Sequence, residues 1–349
     1  MSPIELLSPA EATPENPRWH ELRRQGVTAS EIAAVLGISP WQSAFSTYWQ
    51  KVHDWRDDGN EYTSTGRHLE DAIADWWMAE QDPLENLQAR FAGLYANGER
   101  PWQLATPDRL LYQTCPGCNG DGLCGNEDDG LYTCRDCCDF RLPERPVGTT
   151  GNPVALLECK WVAYSWDGWG EQGTDDLPVY YRAQALWQLD VLGVDEVHFA
   201  VLGPGGFRAY LVRRDEDDLA VMRAAGLAFH ARLESGDAPD LDGHSATITA
   251  LRKLHPSVGE GDVEVSVELA EAYRIARADK KDADARIDEC EAQLRAALGS
   301  TYNRAVVGKK LVASRSVYDQ SGDSAELTAL EDDWPVVDRL NPGRSASYA

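Results

Sequence analysis

Apolar and polar residues recur with two different periods along the first 240 residues, which predicts a core that mixes helices and strands. Segments 65–81 and 180–193 repeat apolar residues at helical spacing, whereas 154–162 is a short apolar run typical of a buried strand. Segments 102–112 and 196–215 predict further strands, the latter joined by a Gly-Pro-Gly-Gly turn. This order predicts an α/β (α+β) fold with a central mixed sheet flanked by helices.

The starts of two helices can be predicted from their polar residues. Thr28 and Glu31 have the spacing of a capping box ahead of an apolar run that ends at Gly37, so we expect a helix to begin at Thr28. In segment 65–81 the apolar positions place Glu70 near the helix start and outside the core. Both positions bear on candidate functional residues.

The character of the sequence changes near residue 240. A linker that contains Pro, Gly and Asp precedes a long charged stretch of helical character over 267–298. We therefore expect a core domain over 1–240 and a C-terminal extension over 241–349. The extension is predicted to contain the long helix as a helical appendage, a short strand pair around Gly308 and a disordered tail.

Composition narrows the class of protein. The 349 residues are 43% hydrophobic and include 12 Trp, which indicates a globular chain with a substantial core. No apolar run has the length that crosses a bilayer, and the first residues lack the basic start and apolar stretch of a secretory signal. We expect a soluble cytoplasmic protein with no membrane partner.

The formal net charge of −25 argues against broad binding to nucleic acid, because phosphate binding depends on Lys and Arg. Net charge does not fix the local potential, however, and a short basic track is compatible with an acidic chain. The charge therefore predicts weak non-specific DNA binding.

Six of the eight cysteines lie between positions 115 and 138, which in a reducing compartment indicates a metal site. Cys115-x2-Cys118 and Cys134-x2-Cys137, separated by 15 residues, match the spacing of a zinc ribbon with structural Zn²⁺. Cys124 or Cys138 could replace one of the four ligands. The prediction is a zinc-ribbon-like insert over 113–141; an iron–sulfur cluster is the less favoured alternative.

The apolar run 154–162 carries two charged residues. The two-residue period of a strand puts Glu158 and Lys160 on one face and Cys159 on the other. Burying such charges unpaired costs about several kcal/mol, so they need each other, an acidic partner or a metal. Asp108, at the end of the preceding predicted strand, is the natural partner.

Asp followed by Glu-x-Lys is the signature of metal-dependent phosphodiester hydrolysis in the restriction-endonuclease-like superfamily. Carboxylates hold Mg²⁺ or Mn²⁺, and the lysine orients or stabilises the nucleophile. The alternative interpretation is a surface turn beside an ion pair on a strand.

Five motifs in order and spacing resemble the YqaJ-type viral recombinases, a lambda-exonuclease-like family of the PD-(D/E)XK nuclease superfamily. The resemblance covers roughly residues 18 to 235 outside the cysteine insert. The motifs are Trp19-His20-Glu21-Leu22-Arg23 leading into Thr28-Ala29-Ser30-Glu31, Gly66 with Glu70, Pro107-Asp108, Glu158-Cys159-Lys160, and Tyr181-Arg182-Ala183-Gln184.

The resemblance implies roles at these positions. Asp108 and Glu158 correspond to ligands of the catalytic metal, with the Cys159 carbonyl as a third, and Lys160 corresponds to the catalytic lysine. Glu70 corresponds to an additional acidic residue. The remaining catalytic position of the family, a glutamine that supports the site from a helix, falls at Gln184; an amide that caps a nearby loop is its alternative interpretation.

The resemblance also suggests a site for the end of the DNA. Arg23 aligns with an arginine that receives the 5′-phosphate, and Ser30 is placed at a helix start where hydroxyl and N–H groups can bind phosphate. The alternative is that Arg23 pairs with a local carboxylate and Ser30 only caps the helix.

These roles imply a Mg²⁺-dependent 5′-to-3′ exonuclease that resects double-stranded DNA ends for single-strand annealing. The implied partners are an annealing protein and further copies of the chain in a ring-like trimer, in the cytoplasm of a phage-infected host or of a bacterium. An endonuclease or Cas4-like nuclease on the same core is one alternative. A zinc-stapled DNA-binding or partner-docking module without catalysis is the other.

Overall fold

The computed structural model of the chain describes residues 2–55, 59, 61–80, 86–120, 122–126, 130–134, 147–308, 310–319 and 336–342. For 124–126, 130–132, 310, 316–319 and 336–342 it describes the backbone alone. The chain forms two compact units, Met1–Val258 and Gly259–Ala349. No helix within the described residues is long and apolar enough to cross a membrane.

Within the described residues, the helices are α1 (Pro17–Arg24), α2 (Ile32–Val35), α3 (Ala44–His53), α4 (Glu61–Glu80), α5 (Val179–Leu192), α6 (Glu216–Ser235), α7 (Ser245–Leu254) and α8 (Val267–Leu298). The strands are β1 (Ile4–Leu7), β2 (Val27–Thr28), β3 (Leu87–Phe91), β4 (Leu94–Ala96), β5 (Gln103–Ala105), β6 (Arg109–Thr114), β7 (Leu123–Asn126), β8 (Gly130–Thr133), β9 (Thr149–Trp161), β10 (Glu196–Gly203), β11 (Gly206–Arg213), β12 (Arg304–Val307), β13 (Lys310–Asp319) and β14 (Val336–Pro342).

The central sheet has the strand order β11-β10-β9-β6-β3. Strands β9 and β10 are parallel, and the other neighbours are antiparallel. Helix α4 covers one face through Ile73, Ala74 and Trp77. Helices α5 and α6 pack on the other face through residues such as Leu186 and Met222. The predicted α/β class, a mixed sheet flanked by helices, is confirmed.

A second sheet, of order β1-β4-β5-β2, organises the N-terminal region. Gly26 precedes β2 because a Cβ atom there would lie 2.2 Å from the carbonyl oxygen of Trp102. The close approach lets the N–H of Val27 donate to that same carbonyl at 2.7 Å. Strand β2 is therefore anchored beside β5, immediately before the segment that carries Ser30.

Both helix starts predicted near candidate residues differ from the structure. Thr28 ends β2, where sheet pairing holds it extended, and the N-cap of α2 is Glu31. Half of the predicted capping box is present, since the Glu31 carboxylate accepts from the Thr28 N–H at 2.9 Å. Helix α4 begins at Glu61, so Glu70 lies in its middle and not near its start.

Helix α7 belongs to the first unit, although the sequence predicts a boundary at residue 240. Ser43, the N-cap of α3, is joined to Thr247 of α7 by a hydrogen bond of 2.6 Å between hydroxyl oxygens. Both side chains are buried. A buried polar contact of this kind requires α7 to pack on the core, and the first unit extends to Val258.

The second unit contains α8, which begins after the N-cap Ser266 and spans the stretch expected to be helical. Strands β12 and β13 flank Gly308 and pair in antiparallel fashion. Strand β14 adds to the other edge of β13. This third strand is not evident from the sequence, because its apolar pattern is short and the strand ends at Pro342.

A buried carboxylate, Asp190 near the end of α5, joins four parts of the first unit. Its side chain is 1% exposed and accepts hydrogen bonds from Arg100 at 2.9 Å, Gln103 at 2.8 Å, Arg214 at 2.8 Å and Arg223 at 2.9 Å. Burial alone would raise the pKa of Asp190, but these donors hold the pKa well below its usual range. The ionised carboxylate therefore stabilises the fold.

We expect Asp190→Asn to lower the free energy of unfolding by about 3 kcal/mol, because it leaves partly buried arginines without their counter-charge. The wild type should lose the same contribution as pH falls below the ordinary pKa of Asp, about 4, toward the lower folded value. Urea unfolding at pH 7 and pH 3 measures both effects. The exposed Asp195→Asn is the control, and equal stabilities of the two variants at pH 7 would contradict the prediction.

Candidate active site

Strand β9 presents different side chains to the two faces of the central sheet. Leu156 packs in the cluster beneath α5 and α6, whereas Leu157 and Cys159 pack in the cluster beneath α4. Glu158 and Lys160 therefore point toward α5, as the two-residue period of the strand predicts.

Glu158 is 2% exposed and is held by three donors. Lys160 Nζ donates to Oε1 at 2.5 Å, Gln184 Nε2 donates to the same oxygen, and Gln188 Nε2 donates to Oε2 at 2.8 Å. Gln184 and Gln188 are one turn apart on α5, so both amides face the strand. Gln188 was not among the predicted site residues, although its four-residue spacing from Gln184 is a sequence signal for it.

Asp108 lies beside Glu158, because the pairing of Arg109 with Leu157 sets the register of β6 against β9. Its Oδ2 accepts from the N–H of Cys159 at 2.7 Å. Burial raises the pKa of Asp108 well above its usual value, and the neighbouring carboxylates of Glu158 and Glu70 raise it further. The structure thus brings the predicted Asp108 and Glu-x-Lys residues together.

Glu70 reaches this group from α4 through Arg109, the first residue of β6. Arg109 donates to Glu70 Oε1 at 2.9 Å and to the Asp108 carbonyl at 2.7 Å, and it also pairs with Asp71. Its guanidinium lies 3.9 Å from the ring centroid of Phe91. Burial raises the pKa of Glu70 despite the bonds from Arg109. Arg109 is a second residue that the sequence analysis missed, because nothing in its local pattern separates it from a strand residue at the surface.

Lys160 is a charged ammonium in this site. Burial would lower its pKa, but the carboxylates of Glu158 and Asp108 outweigh burial and raise the pKa above its usual value. The Nζ atom also lies 5.3 Å from the ring centroid of Tyr181. Lys160 can therefore offer positive charge and hydrogen bonds, and not an unprotonated amine.

The donor set fits a hard divalent cation. Glu70, Asp108 and Glu158 offer carboxylate oxygens, which Mg²⁺ and Mn²⁺ prefer. Burial, with a further contribution from neighbouring carboxylates, raises the pKa values of Asp108 and Glu70 despite the cations of Lys160 and Arg109. A cation would relieve this repulsion. The third predicted ligand, the carbonyl of Cys159, stays a prediction.

The structure also brings together Arg23 and Ser30, which the sequence analysis assigned to a 5′-phosphate. Arg23 Nη2 donates to Ser30 Oγ at 3.1 Å, and the guanidinium lies 4.3 Å from the ring centroid of Trp19. The nearby Glu31 forms an ion pair of 2.8 Å with Lys51. Ser30 itself lies in the turn before the N-cap of the four-residue α2. The prediction that Ser30 lies at a helix start is therefore wrong.

A pocket of about 240 Å³ opens beside Arg23. Its cationic lining residues outnumber its carboxylates, in a chain whose net charge is −25. Arg67 of α4 lines this pocket, and Glu70 follows it by three residues on the same helix. Side chains at this spacing are neighbours, with Cβ atoms about 5–6 Å apart. The pocket and the acidic cluster, formed by Glu70, Asp108 and Glu158, are therefore adjacent along α4. The cations are Arg23, Arg24, Lys51 and Arg67, and the carboxylates are Glu31 and Asp54.

Three of the predicted zinc ligands form a buried cluster in the connection between β6 and β9. The Sγ atoms of Cys115, Cys118 and Cys134 lie within 4.8 Å of one another, and Cys115 and Cys134 are 3.9 Å apart. The N–H of Gly122 donates to Cys118 Sγ at 3.2 Å. In a tetrahedral zinc site with bonds of about 2.3 Å, sulfur atoms lie about 3.8 Å apart, so the cluster fits this metal.

The other cysteines of the insert cannot be placed in the cluster. Cys137 and Cys138 lie outside the described residues. Cys124 lies in β7, where the structure describes the backbone alone. Which of Cys124, Cys137 and Cys138 provides a fourth ligand therefore stays open, as in the prediction from the sequence.

Comparison with known families supports the resemblance deduced from the motifs. The family model of the YqaJ-like viral recombinase domain matches residues 18–195, just over half of the chain. The chain belongs to this family. The match contains the acidic cluster, the cysteine insert and every lining residue of the Arg23 pocket except Pro14.

The individual relatives have low sequence identity to this chain. The uncharacterized protein YqaJ of Bacillus subtilis strain 168 is 24% identical over 264 residues, which are 74% of this chain and 68% of that protein. An alkaline exonuclease from Laribacter hongkongensis is 17% identical, with a TM-score of 0.42, over 68% of this chain and 98% of that chain. A phage-related exonuclease from Haemophilus somnus 129PT is 12% identical, with a TM-score of 0.37, over 60% and 96% of the respective chains. These structural similarities do not assign a reaction to this chain.

Metal binding can be tested through stability. Mg²⁺ at about 100 times its dissociation constant should stabilise the wild type by about 2.7 kcal/mol and Asp108→Asn by much less. In EDTA at neutral pH, Asp108→Asn should be more stable than the wild type. An acid with a raised folded pKa stabilises the fold only while protonated, and this contribution is lost as pH rises from the unfolded toward the folded pKa.

Chemical denaturation with Mg²⁺ or EDTA measures these differences, and Asp195→Asn is the control for a surface aspartate. If Mg²⁺ stabilised Asp108→Asn as much as the wild type, the cation would bind elsewhere.

Proposed function

We propose that this chain is a metal-dependent exonuclease that degrades double-stranded DNA from 5′ to 3′ and resects ends for recombination by single-strand annealing. The observation that carries the proposal is the convergence of Glu70, Asp108 and Glu158 with the ammonium of Lys160 at the start of β6. Membership in a family described as viral recombinases supports the recombination role.

The carboxylates would hold Mg²⁺ or Mn²⁺, which supplies positive charge that stabilises a phosphoryl transition state and favours ionisation of water. Lys160, protonated beside Glu158, would orient the attacking water and stabilise negative charge on the phosphate. Gln184 and Gln188 fix the Glu158 carboxylate, so its oxygens keep one orientation. Arg109 fixes Glu70 and the backbone of Asp108.

The polarity of the proposed reaction depends on the pocket beside Arg23. A guanidinium can bind phosphate through bidentate hydrogen bonds, and Ser30 presents a hydroxyl on the same side. Because Arg67 and Glu70 are neighbours on α4, a phosphate in the pocket would place the following nucleotides near the acidic cluster. A 5′-phosphate at an end is then the preferred ligand. An annealing protein and a ring-like trimer belong to the same proposal.

Digestion of linear duplex DNA in Mg²⁺ tests the reaction, with closed circular DNA in parallel. The wild type should degrade the linear DNA alone, faster from 5′-phosphate than from 5′-hydroxyl ends. Lys160→Ala and Glu158→Gln should lower the rate by about 10²–10⁴-fold. Arg23→Gln should remove most of the preference for 5′-phosphate while the slower reaction on 5′-hydroxyl ends continues.

The control variant is Glu196→Gln, which alters a strand glutamate paired with Arg213 away from the site. Cutting of closed circles would favour an endonuclease or a Cas4-like enzyme. Absence of cleavage by a folded wild type would favour a non-catalytic DNA-binding module. Full activity of Lys160→Ala would exclude the role given to the lysine.

We also propose that the cysteine insert binds structural Zn²⁺ through Cys115, Cys118 and Cys134 with a fourth ligand from the insert. Burial raises the pKa of Cys115, so a cation is needed to hold the thiolate form. Leu123, the apolar side chain that the structure describes in the β7–β8 hairpin, is exposed, and a metal would supply stability to this hairpin.

Cys115→Ser is therefore expected to lose most of the bound zinc and to lower the melting temperature, because the binding free energy of the metal no longer stabilises the insert. Elemental analysis of purified protein measures the metal. The exposed Cys290→Ser is the matched control and should retain it. Equal zinc contents in the two variants would argue against the cluster as the site.

A further inference from the structure

Helix α8 carries an apolar stripe with the period of a coiled coil. Small or apolar residues repeat with alternating spacings of four and three over nearly the whole helix, interrupted once by Lys280. The stripe consists of Leu269, Tyr273, Ala276, Lys280, Ala283, Ile287, Cys290, Leu294 and Ala297.

Much of this stripe is exposed within the second unit. Leu269 is 60%, Tyr273 67% and Ile287 55% exposed. A groove of about 440 Å³ runs along the C-terminal half of the stripe and is closed on one side by Val312 and Ala313 of β13. An apolar stripe of this length beside an apolar groove is typical of a surface that another helix covers.

A second copy of α8 fits this surface in antiparallel orientation. In an antiparallel pair, each position of one heptad class faces the other class on its partner helix. With Lys280 opposite Ala283 of the second copy, Ile287 faces Ala276, Tyr273 faces Cys290 and Leu294 faces Leu269. Three of these four layers pair a large side chain with a small one, the fourth pairs two leucines, and the lysine meets a small residue. The groove beside β13 then receives the N-terminal half of the second helix.

The charges that flank the stripe support the same alignment. In this register Arg277 faces Asp284 of the second copy, and Asp279 faces Arg286 of the second copy. Because the arrangement is twofold, each pair occurs twice. All charged flanking pairs in this register are of opposite sign, since Ala270 and Ala272 face the remaining charged or polar positions.

A parallel pair of the same helices is disfavoured. It would place Lys280 against Lys280 in the apolar seam and Asp279 against Asp284 at its edge. Both contacts are repulsive, and burial in the seam strengthens the first. The attraction of Arg286 for Glu291 at the same edge offsets the aspartate pair but leaves the buried lysines opposed. Charge thus selects one orientation from a stripe that apolar contacts alone would leave ambiguous.

We propose that α8 is a dimerisation helix that pairs with α8 of a second copy of this chain in antiparallel orientation. The surface lies in the second unit, and the inference is independent of the reaction proposed for the first unit. It assigns the C-terminal extension a role in assembly.

The first experiment compares the mass of the full-length chain with that of two isoleucine variants by sedimentation equilibrium. Ile287 lies in the stripe and Ile275 lies outside it on the same helix, with 55% and 49% exposure. Ile287→Ser should raise the dissociation constant at least about tenfold and halve the mass of the assembly, whereas Ile275→Ser should not. A monomeric wild type, or a mass that Ile287→Ser leaves unchanged, would overturn the proposal.

Charge reversal tests the alignment. Asp279→Arg should weaken the dimer, because the substituted arginine would face Arg286 of the second copy. The double variant Asp279→Arg with Arg286→Asp restores opposite charges and should recover the dimer. Failure of the double variant to recover the mass of the wild type would exclude this register.

Cross-linking tests the orientation through Cys290. In the antiparallel pair a short bis-maleimide should link Tyr273→Cys to Cys290 of the second copy and give a covalent dimer. Ile275→Cys, outside the stripe, is the control and should give little covalent dimer. Efficient cross-linking of the wild type through Cys290 alone would indicate the parallel pair and overturn the antiparallel one.

Discussion

The buried carboxylate of Asp190 is the contact on which the first unit most depends. It gathers Arg100, Gln103, Arg214 and Arg223, and thereby fixes α5 against β5, the end of β11 and α6. Helix α5 also carries the two glutamines that hold Glu158. A rigid α5 is therefore the condition for a fixed carboxylate in the site, because an amide can orient its partner only if its own backbone is held.

The acidic cluster lowers the stability of the first unit. Glu158, Asp108 and Glu70 are brought together where burial and mutual repulsion raise the pKa values of the latter two. A fold selected for stability alone would replace some of them with neutral side chains. Their retention beside a protonated Lys160 is what a cation-binding site requires, since the same crowding that costs stability without a cation increases affinity for one.

The parts of the site that could be predicted follow from local rules. The two-residue period of a strand predicted that Glu158 and Lys160 lie on one face of the sheet. The order of the motifs predicted that Asp108 and Gln184 lie near them. The site residues that were not predicted act through contacts between elements that are distant in sequence. Arg109 joins α4 to β6, and Gln188 holds Glu158 because α5 lies across β9. Glu70 lies in the middle of its helix because α4 begins earlier than predicted, at Glu61. Ser30 lies in a turn because sheet pairing of Thr28 overrode the capping pattern.

Local charge resolves the conflict between an acidic chain and a DNA substrate. Along α4, Arg67 in the basic pocket is followed after one turn by Glu70 in the acidic cluster. In the proposed reaction a strand end would satisfy both, because its terminal phosphate would need cations while its scissile phosphate would be reached through a metal held by carboxylates. An unbroken duplex offers the pocket no terminal phosphate, and the remaining acidic surface repels its backbone. In the proposed function, the distribution of charge, more than its total, would therefore favour ends over the interior of DNA.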